Sequence, residues 1–93
     1  MSMLALPAQL TLRDAKVTLA TLASAIAAAP AGSTISVDAS ALTYIDSSAL
    51  AVLLECRRQS EARRCPFEVH HVPLRLAELA RLYGVQDVLA LQG

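Results

Sequence analysis

Two hydrophobic periodicities alternate along this chain, and their order limits the possible folds more than any other feature of the sequence. Short segments with the alternating or apolar character of strands occur at 4–12, 35–38 and 67–72. Each is followed by apolar residues at helical spacing, which predicts helices over 14–29, 48–63 and 76–83. Strands that alternate with helices are typical of α/β domains with crossover connections. We therefore predict one α/β domain over 1–93, because this length leaves no room for a second core.

Two further segments of the chain have weaker signals. Residues 39–45 lie between a predicted strand and a predicted helix and are expected to form a loop that carries Tyr44. Residues 86–89 are expected to form a last short helix, and Gly84 stands where a left-handed residue would end the helix before it.

The balance of charge and hydropathy narrows the classes of function. Eight Lys and Arg residues offset eight Asp and Glu residues, which argues against a nucleic-acid-binding protein, because such a protein needs a cationic face. Hydrophobic residues make up 55% of the chain, and so small a domain cannot bury them all. Part of the surface is therefore expected to meet a partner.

The sequence also predicts where the protein resides. The longest apolar stretch, at 19–31, is too short to span a bilayer, and residues 1–9 lack the basic start of a secretory signal. Cys56 and Cys65 have no CxxC spacing, which favours reduced thiols in the cytoplasm.

Catalytic and metal sites have little support in the sequence. His70 and His71 are adjacent on a predicted strand, so their side chains point to opposite faces and cannot bind one metal together. Ser47 has no G-x-S-x-G elbow around it, and the three glycines are too far apart to form a phosphate-binding loop. We expect no enzyme, no metal and no cofactor.

The helix after Asp46 is apolar on more sides than one packing face requires. A helix that packs on a sheet needs one apolar stripe a little over 100° wide. Here one face carries Leu50, Leu53, Leu54 and Arg57, and another carries Ala49, Val52 and Cys56. The second face is either buried by another element or exposed as a patch of small apolar residues for docking, and we favour the exposed patch.

The start of this helix carries the most informative polar residues. Asp46, Ser47 and Ser48 are three successive N-cap candidates, whose oxygens can accept hydrogen bonds from the free N–H groups of the first turn. The same N–H groups and the helix dipole would stabilise a phosphate on a serine placed there, and Asp46 and Asp38 would repel it. Ser47 is thus either a switchable docking residue or, more simply, a helix cap.

The end of the same helix is basic. Arg57, Arg58, Arg63 and Arg64 cluster there, where cations interact favourably with a helix C-terminus. An electrostatic contact with an acidic partner or with lipid headgroups is the alternative, and we favour the first interpretation because four arginines without a basic background attract weakly.

Residues 36–55, SVDASALTYIDSSALAVLLE, resemble the signature of STAS domains, in which a strand ends in Asp-x-Ser and a loop leads into Asp-Ser-Ser-Gly-Leu at the head of a helix. Residues 72–85, VPLRLAELARLYGV, are similar to one branch of that family, which contains the cytoplasmic STAS subunit of the bacterial Mla phospholipid-transport ABC complex. The resemblance covers almost the whole chain. It implies the STAS fold, a small mixed β-sheet of about four strands with helices packed mainly on one side.

The resemblance also implies roles for residues of this helix. Ser47 occupies the position that is phosphorylated in anti-sigma-factor antagonists, and in the transporter branch the corresponding hydroxyl residue and its helix contact the ATPase subunit. The expected partner-binding residues are Ser47 and its neighbours Asp38, Asp46, Ser48, Ala51 and Glu55, with support from the third helix.

The chain departs from the family pattern at two places. Ala49 stands where the motif often has glycine, and Arg64 and Cys65 replace the glycine turn that usually follows the helix.

Two functions follow from the resemblance, and the similarity at 72–85 favours the first. The first is a non-catalytic adaptor that binds the ATPase of an Mla-like phospholipid transporter. The second is an anti-sigma-factor antagonist that a serine kinase switches at Ser47. Without the resemblance, the chain is an interaction module of another kind in which Ser47 only caps a helix. In either family role we expect a cytoplasmic protein with no membrane span of its own, peripheral to the inner membrane only through its complex.

Overall fold

The computed structural model of the protein describes residues 3–92, so the outermost residues of the domain predicted over 1–93 lie outside the described part. Within residues 3–92, helices alternate with short strands as the two periodicities predict. The elements are β1 (Met3–Ala5), β2 (Gln9–Leu10), α1 (Leu12–Ala28), β3 (Ile35–Asp38), β4 (Tyr44–Ile45), α2 (Ser48–Ala62), β5 (Phe67–His70) and α3 (Leu74–Leu82). None of these described helices is long and apolar enough to cross a membrane.

The strands form two parallel sheets, of three and two strands, where the resemblance implied one mixed sheet of about four. In the larger sheet, of order β1-β3-β5, Val37 pairs with Leu4 on one side and with Val69 on the other. In the smaller sheet, β2 pairs with β4. The pairings are parallel because a helix connects each strand to the next one in its sheet and returns the chain to the same end. The predicted α/β class is confirmed, and the architecture is consistent with the STAS fold.

The hydrophobic core draws on every layer of the domain. Leu10, Val37, Leu53, Val69 and Leu76 come from five different elements, and all five are fully buried. Helices α1 and α2 pack against each other, and α2 also contacts β5. The hydrophobic pattern of α2 therefore matters most for the core, because this helix has neighbours on more than one side.

A buried thiol completes the core. Cys56 has no exposed surface. Burial, with a smaller contribution from the charge of Glu55, raises the pKa of the Cys56 thiol to about 11. This side chain is therefore protonated at neutral pH and acts as a small apolar residue.

Three local predictions were wrong, and for the first two the cause lies outside simple periodicity. α1 begins at Leu12, two residues before the predicted start, because the Asp14 carboxylate accepts hydrogen bonds from the Thr11 N–H at 3.0 Å and the Thr11 hydroxyl at 2.9 Å. Tyr44–Ile45 forms β4 where a loop was predicted, since β2 lies beside it as a pairing partner. Residues 86–90 form turns and no short helix.

Two left-handed residues end the second and third helices. Gly84 has φ = +70° after α3, which confirms the prediction of a left-handed cap. Arg64 has φ = +59° after α2, at the position where the family pattern usually has glycine. An L-residue is disfavoured in this conformation by about 1–2 kcal/mol, so the departure from glycine lowers stability at that turn.

Candidate functional site

The head of α2 is held in place by the carboxylate of Asp46. Its Oδ1 accepts a hydrogen bond from the N–H of the half-buried Ser48 at 2.8 Å, and its Oδ2 accepts one from the N–H of Leu12 at 3.0 Å. The bond from Leu12 and then that from Ser48 lower the pKa of Asp46, against smaller opposing effects of desolvation and, last, of the Asp14 charge. One ionised carboxylate thus joins the N-termini of α1 and α2.

Ser47 lies at this head with an exposed side chain that makes no capping hydrogen bond. Its backbone is already helical, with φ = −62° and ψ = −16°, whereas an N-cap residue is usually extended. The N–H groups of Ala49 and Leu50 bind the backbone carbonyls of Asp46 and Ser47, at 3.0 and 3.1 Å. The interpretation of Ser47 as a simple helix cap is therefore wrong, and its hydroxyl is accessible to a group from outside.

An apolar groove of about 250 Å³ begins beside Ser47 and lies between α2 and the end of α3. Its lining comprises Ser47, Leu50, Ala51, Leu54, Tyr83 and Val85. Leu50 is buried at the base, whereas Ala51 is exposed and the Tyr83 side chain is 57% exposed. A hydroxyl and an accessible apolar surface therefore lie side by side, and a partner that covered the groove would gain about 25 cal/mol for each Å² of apolar area buried.

The apolar face of α2 that the sequence assigned to docking is buried. Ala49, Val52 and Cys56 lie inside the domain because α2 packs against both α1 and β5. The expectation of an exposed patch on that face was wrong. At the groove, the accessible apolar surface of α2 comprises Ala51 and the half-buried Leu54, and the end of α3 with the turn after it supplies Tyr83 and Val85.

Glu55, an expected partner contact, lies one turn beyond Ala51 and does not line the groove. Its carboxylate accepts hydrogen bonds from Arg58, with Nε–Oε1 at 2.8 Å and Nη2–Oε2 at 2.6 Å, and from Gln59 at 2.9 Å. The bonds from Arg58, with help from Gln59, lower the pKa of Glu55 to about 2. A partner would have to compete with this pair to reach the carboxylate.

Asp38, another expected contact, lies at the end of β3, where it pairs with His70 in the sheet. Its carboxylate accepts a hydrogen bond from the Ser40 N–H at 3.0 Å. That bond, and to a smaller extent the neighbouring His71 and His70, lower the pKa of Asp38. Asp38 is not part of the groove lining, so the structure separates it from the surface around Ser47.

The two histidines have separate environments. Nε2 of His70 lies 2.9 Å from Oε1 of Glu68, while His71 is exposed in the left-handed region with φ = +56°. Among residues 3–92, no three His, Cys, Asp or Glu side chains are grouped so that they could hold a metal ion.

Two larger clefts flank α1 and differ chemically from the groove. One, of about 480 Å³, is lined by residues that include Leu4 and Ala25, and the other, of about 370 Å³, by residues that include Leu6 and Val17. Neither cleft is lined by an ionisable side chain or by a residue of the 36–55 motif, although Ile35, directly before the motif, lines the first cleft.

The sequence pointed to Ser47 and Ala51 but not to Tyr83 and Val85 as site residues. The helical spacing of Tyr83 with the core positions of α3 made it a candidate core residue, whereas it lies past the last helical turn and is exposed. The left-handed turn at Gly84 then places Val85 along the groove. An aromatic residue directly before a capping glycine is the signal that could have identified this edge of the site.

Comparison with known proteins identifies a family that matches nearly the whole chain. A family model described as "Mlab, STAS domain" matches residues 1–92. No curated protein matches the chain. The family match spans both the α2 motif and the end of α3, and so includes both sides of the groove.

Proposed function

The chain belongs to the STAS domain family, and from that premise we propose that it is a non-catalytic adaptor that docks on another protein through the surface around Ser47. A role in protein–protein contact is general for STAS domains. The observation that carries the proposal is the free, exposed Ser47 hydroxyl at the edge of the groove that Ala51, Leu54 and Tyr83 help to line.

The chemistry of this surface suits a protein partner. The hydroxyl can donate one hydrogen bond and accept others, which gives orientation, and the apolar groove gives binding energy once water is excluded. Tyr83 adds an exposed aromatic ring, and tyrosine is enriched among the residues that contribute most to protein interfaces.

The partner that we propose is the ATPase subunit of an Mla-like phospholipid-transport ABC complex. The description of the matching family model and the similarity of residues 72–85 to the transporter branch support this choice. In that role the protein lies on the cytoplasmic side of a bacterial inner membrane and is attached to it only through the complex.

The alternative function, an anti-sigma-factor antagonist that a kinase switches at Ser47, has less support from the local geometry. A phosphate on Ser47 would need N–H donors from the first turn of α2, but those of Ser48 and Ala49 already bind Asp46. The ionised carboxylate of Asp46 would also repel the phosphate.

Co-purification with the ATPase subunit from the same genome tests the proposal. Ala51→Arg should reduce the recovered ATPase about tenfold or more, because a guanidinium would occupy the apolar groove. The matched control is Ala62→Arg, the same substitution at another exposed alanine of α2 that lies at the far end of the helix. This control should recover the ATPase at the wild-type level.

Equal recovery with both variants would show that the groove is not the docking surface. If the wild-type protein recovers no ATPase, the proposed partner is wrong. Incubation with a serine kinase and ATP, followed by an intact-mass measurement of wild type and Ser47→Ala, would then test the alternative, since only the wild type should gain a phosphate.

A further inference from the structure

We propose that Asp46 is a positioning residue of the docking surface: its carboxylate caps α2 in place of Ser47 and so keeps the Ser47 hydroxyl available to a partner. The effect of Asp46 on partner binding rests on the proposed function, whereas its capping of α2 is a property of the isolated protein.

Four polar groups of Asp46 bind three different elements. Its N–H donates to the Leu10 carbonyl of β2 at 3.4 Å, and its carbonyl accepts from the Ala49 N–H of α2 at 3.0 Å. Its two carboxylate oxygens accept from Ser48 of α2 at 2.8 Å and from Leu12 of α1 at 3.0 Å. The residue is exposed, but these four hydrogen bonds fix its backbone and both carboxylate oxygens.

This arrangement assigns the capping role to Asp46. A capping side chain normally accepts a hydrogen bond from the second or third amide of the helix. Counted from Asp46, Ser48 is the second residue, and its amide is bound by the Asp46 carboxylate. Ser47, in a helical conformation, then occupies the first turn as an ordinary helical residue whose hydroxyl is not needed by the backbone.

Removal of the carboxylate would change the position of the serine hydroxyl. The Ser48 amide would lose its acceptor, and Ser47 carries the side-chain oxygen next to it along the chain. The Ser47 hydroxyl would then turn towards the first-turn N–H groups and away from the groove. The inferred function of Asp46 is thus to prevent its neighbour from becoming a cap.

A neighbouring carboxylate provides a natural control. Asp14 also caps α1, through the Thr11 N–H at 3.0 Å, but within residues 3–92 its carboxylate accepts hydrogen bonds from Thr11 and Gln9 and from no residue of α2. Loss of Asp14 should therefore disturb the start of α1 but leave the hydrogen bond from the Ser48 N–H to Asp46 in place, although the Asp14 charge acts on the pKa of Asp46.

Amide hydrogen exchange on the isolated protein tests the geometry. Asp46→Ala should accelerate exchange at both Leu12 and Ser48 by about tenfold or more, because both amides lose their acceptor. Asp46→Asn keeps only one acceptor oxygen, so one of these two amides should stay protected and the other should not. Asp14→Ala should not accelerate amide exchange at Ser48 or at its neighbours in α2.

Unchanged protection of Ser48 in Asp46→Ala would overturn the inference. Protection of both amides in Asp46→Asn would also contradict it, because the two amides bind different oxygens of the carboxylate and the asparagine side chain places an NH2 donor at one of these two positions. The asparagine variant keeps the test valid if the alanine variant fails to fold.

Binding to the ATPase subunit tests the positioning role. Asp46→Ala should weaken binding about tenfold, and addition of Ser47→Ala should weaken it no further, because Asp46 acts through Ser47. Asp14→Ala should bind at the wild-type level. Additive losses would mean that Asp46 contacts the partner itself, which would overturn the positioning role. If even the wild type does not bind, the proposed function fails, and the exchange results alone decide whether Asp46 replaces Ser47 as the cap.

Discussion

The two ends of α2 differ in whether the polar side chain of the flanking residue, Ser47 or Arg63, forms hydrogen bonds within the domain. At the C-terminal end, the half-buried Arg63 guanidinium donates from Nη1 to the Ile26 carbonyl and, at 2.6 Å, to the Ala29 carbonyl. It thereby satisfies the Ala29 carbonyl and gives a second donor to the Ile26 carbonyl, which also accepts from the Ala29 N–H at 3.2 Å. At the N-terminal end, the Ser47 hydroxyl is exposed and makes no capping bond.

The difference separates stability from recognition within one helix. A partly buried charged group that satisfies carbonyls contributes to the free energy of unfolding, whereas an exposed hydroxyl without a partner contributes little. The same helix can therefore tolerate a change of Ser47 at its head as far as folding is concerned, and its tail can change without an effect on a partner at the head.

The basic cluster at the tail supports this distinction. Arg57 pairs with Glu61 at 2.8 Å and Arg58 pairs with Glu55 at 2.6 Å on the surface of the helix. With Arg63 bound to α1, three of the four arginines have partners inside the domain. This agrees with the interpretation of the cluster as a structural feature of the helix end.

Acid should have the largest effect, because it reaches several carboxylates at once and protonates the Asp46 acceptor at the head of α2, whereas the backbone carbonyls that Arg63 binds at the tail do not titrate. Hydrogen bonds lower the pKa values of Asp14, Asp46 and Glu55 in the folded protein, that of Glu55 to about 2. The unfolded chain therefore takes up protons at a higher pH than the folded protein. These groups stabilise the fold above about pH 4, and their contribution is lost as the pH falls towards 2.

Amide exchange at about pH 7 and about pH 3, corrected for intrinsic rates, distinguishes the two ends. Protection of Ser48, whose acceptor is a carboxylate, should fall before that of Cys65, whose N–H binds the Ser60 carbonyl at 2.9 Å. Earlier loss at Cys65 would contradict the proposed difference between the ends.

Arg63→Met should have the next largest effect, a loss of about 1–3 kcal/mol in the free energy of unfolding, because carbonyls at the end of α1 lose a charged donor. Denaturant unfolding measures the change, and Arg64→Met at the adjacent exposed position is the matched control. A loss in Arg64→Met as large as that in Arg63→Met would show that the contact with α1 is not the cause.

Ser47→Ala should have the smallest effect on folding, within about 0.5 kcal/mol, because no capping bond is removed. A cap would instead give a loss of about 1 kcal/mol. Denaturant unfolding of this variant therefore sharpens the comparison: a loss of the larger size would show that the hydroxyl belongs to the helix and not to the surface.

Much of the architecture could be predicted because it depends on neighbouring residues. The strands Ile35–Asp38 and Phe67–His70 occur where apolar runs or alternation placed them, and α2 starts at the last residue of the predicted run of capping residues. Gly84 takes the left-handed conformation that ends α3. In each case the signal lies within a few residues of the element, where local sterics and hydrogen bonds act.

The predictions that failed depend on distant parts of the chain. Tyr44–Ile45 is a strand only because β2, more than thirty residues earlier, lies beside it. Ala49, Val52 and Cys56 are buried only because α1 and β5 cover α2 from different directions. A single helix with two apolar faces cannot indicate which of them will be covered.

The order of helices and strands, the family of the chain and the position of Ser47 at the head of a helix are all determined by the sequence, because they depend on spacing and on short motifs. Tertiary structure decided which oxygen caps that helix. The Asp46 carboxylate binds the N–H groups of Leu12 and Ser48. No local sequence pattern indicates a contact between residues as far apart as 12 and 46. The accessibility of the Ser47 hydroxyl and its position beside Tyr83 are likewise results of packing, since they exist only once α3 lies next to α2.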